Sequence, residues 1–321
     1  MSVGEWDVAV VGAGIAGLSA AEIVVGHGMS CVAFDQLSPG GQLINLAQVS
    51  HYPGLPKETS GVDLVGSLLE SAMESGVEIT YAEVTGLSLG GLLTVDTAEG
   101  KHRARAVVVA TGLTAGRTDV RGADRFVGRG LSECASCDGP LFADREVVVV
   151  GNDEWTAQEA IELAAVAAAV TVVVGDREPI WSIVRGRLLH KLGNVEVRTE
   201  VEVSQLTGDE SGALSEVVLT TPDGALSPMS ASGVFVYQGK SPRTSFLGEE
   251  VRRAPDGRLI GPDDLATAAT GVFAAGDVRA GSVPYLVSAS ADGIRAGLAA
   301  VEFVRSRHPG SYSVRCAVAP P

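Results

Sequence analysis

Residues 7–23 read DVAVVGAGIAGLSAAEI, and this stretch decides the fold. Asp7–Val11 is a short, mostly β-branched run, Gly12 opens a turn, and an Ala-rich pattern of helical period follows. Gly12, Gly14 and Gly17 give the spacing G-x-G-x-x-G between strand and helix. In that context Gly12 permits a tight turn, Gly14 lets a pyrophosphate approach the backbone, and Gly17 allows close helix–strand packing. The start of the helix adds partial positive charge. A second strand, Cys31–Asp35, ends about 20 residues further on in a carboxylate that can accept ribose hydroxyl bonds. The stretch predicts a βαβ unit that cradles a dinucleotide.

A weaker copy starts at Glu146. EVVVVG (146–151) runs into NDEWTAQEAIE, and a second strand, Val170–Val174, follows. Aligned on Gly151, the place of Gly14 is taken by Asp153 and the place of Gly17 by Thr156. A carboxylate then stands where a pyrophosphate would approach, and Asp153 and Glu154 are placed to satisfy the positive helix end themselves. After the second strand, Gly175-Asp176-Arg177 offers one Arg and no cluster for a 2′-phosphate, although Asp176 suits a plain ribose. This unit reads as a retired copy, with an unusual but working NAD(P)H site as the alternative. Further strands are expected at Arg103–Gly112, Gly233–Pro242 and Thr270–Val278, and a helix from about Tyr285 to Arg307.

Composition bounds the partners. The 321 residues carry 39 acidic and 24 basic side chains, a formal charge of −15, which opposes binding to a nucleic-acid backbone or an anionic membrane. Hydrophobic residues at 45% and charged residues at 20% exclude wholesale disorder. The N-terminus has no basic leader, and the apolar run Leu163–Val174 is too short to span a bilayer. A cytoplasmic protein is expected. Four cysteines make no disulfide scaffold, and in that compartment a close pair is catalytic or metal-binding.

That pair is Cys134-Ala-Ser-Cys137, followed by Asp138. Two residues between thiols suit a reversible disulfide with an enlarged thiolate fraction. Zinc would need two more ligands, while Cys31 lies in a predicted strand, Cys316 in the tail, and no His has metal-type spacing. Two inert thiols remain the plain alternative. Asp138 suits a proton donor or acceptor for thiol exchange, or simply a turn or helix cap.

Taken in order, GAGIAGLSAAE (12–22), PGGQLINLAQVSHYPG (39–54), VVVATG (107–112), GRGLSECASCDGPLF (128–142) and TGVFAAGDVRAGSVPY (270–285) resemble the low-molecular-weight thioredoxin reductases over nearly the whole chain. The resemblance implies an α/β fold of two Rossmann-like, three-layer ββα nucleotide-binding domains. An FAD-binding domain would comprise residues 1–113 and 242–321, with a second domain, 114–241, inserted and carrying the cysteines. It implies FAD held by Gly12, Gly14, Ala16, Gly17, Asp35, Gly41, Gln42, Gly112, Gly276 and Asp277, and a homodimer. By the same resemblance Cys137 faces the flavin, Cys134 exchanges with the substrate, and Asp138 is the acid/base.

The departures bear on function. The family pattern G-G-G-x-x-A followed by His-Arg-Arg, which grips NADPH, reads here Gly151-Asn152-Asp153-Glu154-Trp155-Thr156 and Gly175-Asp176-Arg177. A Tyr-Arg-Gln-Ala run near the flavin reads Tyr285-Leu286-Val287-Ser288, and a tail follows His308. With FAD and dithiol kept and NADPH lost, the expected activity is a dithiol oxidase. A small-molecule dithiol is closed to a disulfide and the electrons pass through FAD to O2, giving H2O2. The alternatives are a reductase of a thioredoxin-like protein fed by a protein redox partner such as a ferredoxin, a surviving NAD(P)H-dependent reductase, and a flavin redox sensor. Asp138 weighs against the oxidase, whose relatives tend to carry His there.

Overall fold

The β-branched run at the N-terminus forms β1 (Gly4–Val11), buried from Asp7 onward. The structure, a computed structural model, describes residues 4–46, 48–49, 52–56, 58–114, 120–175, 178–238, 240–261 and 265–307. Asp176, Arg177 and the tail with Cys316 lie outside the described residues. The chain divides into two compact units, residues 1–114 with 241–321, and residues 115–240.

In the first unit, α1 (Ile15–Gly26) leads from β1 to β2 (Cys31–Asp35), which lies parallel to β1 with Val8 opposite Cys31. α2 (Gly61–Glu74) starts at a reciprocal cap: Ser60 Oγ accepts from the Asp63 amide and the Asp63 carboxylate accepts from the Ser60 amide. β3 (Glu78–Tyr81) then joins β2 in parallel. β4 (Val84–Ser88) and β5 (Leu93–Thr97) form an antiparallel hairpin that pairs with the first half of β6 (Lys101–Val109). β6 also runs parallel to β1 along its length. The two-residue β7 (Leu113–Thr114) ends this segment.

The second unit opens with β8 (Leu131–Ser132) and the one-turn α3 (Ala135–Asp138). β9 (Glu146–Val150), α4 (Glu154–Ala164), β10 (Ala169–Gly175), α5 (Ile183–Lys191) and β11 (Val195–Thr199) form the second parallel winding. A meander of β12 (Glu202–Gly208), β13 (Leu214–Thr220) and β14 (Leu226–Ser230) precedes β15 (Gly233–Val236). The parallel sheet has the order β11-β10-β9-β15-β8. Alternate valines of β9 and β10 separate its two cores: Val147, Val149, Val172 and Val174 pack with Ala157, Ala160 and Leu163, whereas Val148, Val150 and Val173 pack with the meander residues Val217 and Leu219.

The chain returns to the first unit through β16 (Ser241–Pro242), antiparallel to β7, and β17 (Val272–Ala274), parallel to the second half of β6. α6 (Leu286–Arg307) packs on α1. Their approach depends on Gly293: a Cβ there would stand 2.1 Å from the carbonyl oxygen of Ala16. Both units are Rossmann-like, and the α/β class read from the sequence is the one observed. No described helix is long and apolar enough to cross a membrane.

Candidate active site

The two glycine turns fold alike and end differently. In the first unit, Gly14 is the N-cap of α1, no side chain caps the helix, and its first turn holds no acidic residue. A Cβ at Gly14 would meet nothing within 4 Å, whereas a Cβ at Gly17 would lie 1.8 Å from the Gly12 carbonyl oxygen. Gly17 is therefore required by packing, and the open side of Gly14 faces free space. Gly14 and Gly40 form a bridge, and the Gly40 amide donates to the Ala13 carbonyl at 2.7 Å, which sets Gly41 beside Gly14. Asp35 lies at the end of β2, where Oδ2 accepts from the Ala13 amide at 3.0 Å and Oδ1 from the Leu37 amide at 3.2 Å. Gln42 donates to the Leu113 carbonyl.

The returning segment closes this cradle. Gly276 and Asp277 lie in a short 3₁₀ turn after β17, and a Cβ at Gly276 would touch Ala16 at 3.0 Å. Asp292 of α6 accepts from the Gly276 amide at 3.3 Å and from Arg279 Nη1 at 2.6 Å, fixing the turn. Gly12, Gly14, Ala16, Gly17, Gly41 and Gly276 are thus brought together around the start of α1, with Asp35 tied to the loop. Gly112 lies just beyond β6 with open space on its Cβ side. An uncapped helix start, an open glycine and a carboxylate at the strand end fit the diphosphate and ribose of FAD. Sequence reading missed Asp292, since nothing local marks its partners.

In the second unit the matching helix start is filled. Asp153 is the N-cap of α4, and its Oδ1 accepts from the Thr156 amide at 2.8 Å and the Thr156 hydroxyl at 2.7 Å. A Cβ at Gly151 would stand 2.2 Å from Thr156 Oγ1, so the threonine also occupies the turn. Glu154 stands in the first turn of α4, as expected, and also reaches beyond it. Its carboxylate accepts from the Ser182 amide at 2.6 Å, the Ser182 hydroxyl at 3.1 Å and Arg185 Nε at 2.6 Å, so it supports the start of α5. Its carboxyl is held low: burial opposes this, and the Ser182 and Arg185 bonds outweigh it.

The cysteines lie in one turn of the same unit. Cys134 and Cys137 form a disulfide with Cα atoms 5.4 Å apart. Cys134 is the N-cap of α3, and its Sγ accepts from the Cys137 amide at 3.2 Å. Cys137 is exposed and Cys134 half-buried. Asp138 accepts from Ser132 Oγ at 2.7 Å, and the same hydroxyl accepts from the Cys134 amide at 3.2 Å, so Ser132 joins the acid to the first cysteine. Cys31 is buried in β2, and burial, aided by the charge of Asp7, pushes its thiol far above the ordinary range. Among the described residues no three His, Cys, Asp or Glu side chains form a metal-ligand group.

Beneath the disulfide stands a residue that the sequence reading passed over. Glu159 of α4 is fully buried, and its Oε2 accepts from the Ala135 amide at 2.8 Å and the Tyr237 hydroxyl at 2.7 Å. Burial pushes this carboxyl up to about 7 against the pull of those two bonds. Burial and the Glu159 charge together push the Tyr237 phenol upward. The signal was present: Glu159 lies one turn before the buried Leu163, on a face where a carboxylate is costly.

Comparison with known proteins agrees with this geometry. The model of the pyridine nucleotide-disulphide oxidoreductase family matches residues 6–293. The thioredoxin reductase of Listeria innocua is 34% identical over 302 residues, covering 93% of this chain and 94% of that protein. That of Treponema pallidum is 30% identical over 302 residues, covering 94% and 97%. Among solved structures, Lactococcus lactis thioredoxin reductase in its FR conformation superposes with a TM-score of 0.90 at 27% identity, over 94% of this chain and 99% of that one. Thioredoxin reductase of T. acidophilum gives 0.88 at 28% identity, over 93% and 98%.

Proposed function

Because the chain belongs to the pyridine nucleotide-disulphide oxidoreductase family and is an FAD-dependent disulfide oxidoreductase, we propose that it runs as a dithiol oxidase without NADPH. One observation carries the reading: the start of α4, where a nicotinamide dinucleotide would place its pyrophosphate, is capped by Asp153. The α1 start has no such cap. A diphosphate would have to displace a carboxylate from two hydrogen bonds and then bear its charge.

In the proposed direction a substrate thiolate attacks Cys134 Sγ, and Cys137 leaves as a thiolate. The second substrate thiol attacks the substrate sulfur of the mixed disulfide and releases Cys134, so the substrate leaves as a disulfide and two electrons remain on the pair. The Cys137 amide steadies the negative sulfur of Cys134, and Asp138, held by Ser132, takes and returns the proton. FAD, when bound, would supply the two-electron redox chemistry that links the dithiol to oxygen, with hydrogen peroxide as the expected product. Gly14, Gly41 and the open start of α1 would hold its diphosphate, and Asp35 its ribose.

A second reading is favoured by the retained Cys-Ala-Ser-Cys-Asp turn and by relatives named thioredoxin reductase. In it the same exchange runs toward reduction of a thioredoxin-like protein, with a donor other than NADPH. We take either form to be a cytoplasmic homodimer. Anaerobic titration decides the shared premise: dithiothreitol should bleach the flavin, and NADPH and NADH should not. Rapid bleaching by NADPH would refute both readings. Peroxide formed aerobically from a dithiol, and lost in Cys137→Ser, selects the oxidase.

A further inference from the structure

Glu159 has no place in the exchange as described, yet it touches the peptide between the two cysteines. Its Oε2 takes both available donors, the Ala135 amide and the Tyr237 hydroxyl, while Oε1 is buried with no hydrogen-bond partner. A buried carboxylate with one bare oxygen is costly when ionised, and a proton on that oxygen removes the charge. The groups that face it reinforce this. Glu162, one turn along α4, is itself pushed upward by burial; Lys240, after β15, opposes the shift. From α5, Arg185 engages Glu154 and Gln158 and acts on Glu162. From α3 come the two cysteines and Asp138, the latter occupied with Ser132. The β9 and β10 residues on this side are valines.

From this geometry we infer that Glu159 is a positioning residue for the Cys134–Cys137 pair that, when ionised, takes up a proton as the pair is reduced. The argument is electrostatic and rests on the pair being redox-active. Reduction places a thiolate on Cys134, beside the amide that Glu159 already holds. Two negative charges flanking one peptide repel in a low-dielectric setting, so thiolate and carboxylate disfavour each other. The step balances: a substrate dithiol plus the enzyme disulfide and ionised Glu159 give a substrate disulfide, one enzyme thiol, one enzyme thiolate and protonated Glu159. Two electrons move to the pair, one substrate proton ends on a cysteine and the other on Glu159. The nucleophilic thiolate is thereby kept without a net gain of charge in the core. A carboxyl poised near 7 is suited to this exchange at neutral pH.

The test is the dithiol–disulfide equilibrium of the holoprotein against dithiothreitol redox buffers from pH 5.5 to 9, read by alkylation and mass shift so that the flavin signal is not used. In the wild type the curve should break near the carboxyl titration. In Glu159→Gln the break should vanish, and above it the equilibrium should favour the dithiol by about tenfold, converging with wild type at low pH. Superimposable curves for wild type and Glu159→Gln overturn the inference. Tyr237→Phe removes one donor from the carboxylate and should move the break upward; an unmoved break overturns the inference even if Glu159→Gln does not fold. A wild-type pair that dithiothreitol cannot reduce overturns the redox reading of the pair itself, and is recognisable because no curve is obtained at all.

Discussion

If Asp153 and Thr156 are what close the second unit to a nucleotide, removing them should reopen it. The double substitution Asp153→Gly, Thr156→Ala turns residues 151–156 into a G-x-G-x-x-A turn. Asp153 Oδ1 holds the Thr156 amide and hydroxyl at 2.8 and 2.7 Å, and Thr156 Oγ1 would lie 2.2 Å from a Cβ at Gly151. Both obstructions belong to these two side chains. Replacing an N-cap Asp by Gly costs only a few tenths of a kcal/mol, and losing the buried hydroxyl about 1 kcal/mol. A domain stable by about 5–15 kcal/mol survives that.

The gain is electrostatic. A carboxylate about 5 Å from one phosphate charge repels it by about 1 kcal/mol in water and about 3 kcal/mol at the effective dielectric near a protein surface. Removing it should tighten nucleotide binding by about five- to 150-fold. Calorimetry on the oxidised holoprotein reads this without requiring hydride transfer. The wild type should show no saturable binding of NADH or NADPH, and the double variant should bind both. NADH should bind at least as well as NADPH, because Gly175-Asp176-Arg177 carries no arginine cluster for the 2′-phosphate. A double variant that folds normally and binds neither nucleotide would refute the reasoning, since the capped helix start would then not be the barrier.

Two further outcomes test the cradle and the buried acid. Gly17→Ala places a Cβ 1.8 Å from the Gly12 carbonyl, so α1 must move off its own loop. The variant should lose about 1–3 kcal/mol of stability and most of its flavin, and a purified protein with unchanged visible absorbance and Tm would contradict the packing argument. Glu159, raised to about 7 from an ordinary value of 4.5, binds its proton more tightly folded than unfolded. Its contribution is therefore full below the unfolded value and lost as pH rises through the folded one, a loss of about 3 kcal/mol. Urea unfolding from pH 4.5 to 8 should show the stability of Glu159→Gln gaining on wild type across that window, and a constant difference would exclude a titrating carboxyl there.

Local pattern carried the reading where strand, turn and helix are contiguous. Asp7–Gly17 and Glu146–Thr156 declare themselves because β-branched runs, a glycine and an Ala-rich helix follow one another within a dozen or so residues. The hairpin β4–β5 and the meander β12–β14 escaped because their short strands, such as Val84–Ser88 and Leu226–Ser230, mix half-buried and exposed residues without clear alternation. The apolar run Leu163–Val174 looked continuous, yet α4 ends at Ala164 and β10 starts at Ala169 with no Gly or Pro between them. Glu154 sits in the first turn of its own helix as the pattern predicts, but its partners Ser182 and Arg185 lie 28 and 31 residues further on, where no local pattern points.

Glu159 shows where the limit lies. A glutamate on an apolar helix face must be either neutralised or bonded, since leaving it ionised and bare costs several kcal/mol. The sequence alone can therefore flag the anomaly. It cannot name Ala135 and Tyr237 as the partners, because one lies 24 residues before and the other 78 residues after, and only the parallel order β9-β15-β8 brings the three together. That order also puts the carboxyl against the amide of Ala135, which follows the first redox cysteine directly. A glutamine there would satisfy the same donors without charge, so what distinguishes the glutamate is its ability to change protonation state. Structural support alone would be served equally well by either side chain; a pH-dependent difference between them would not.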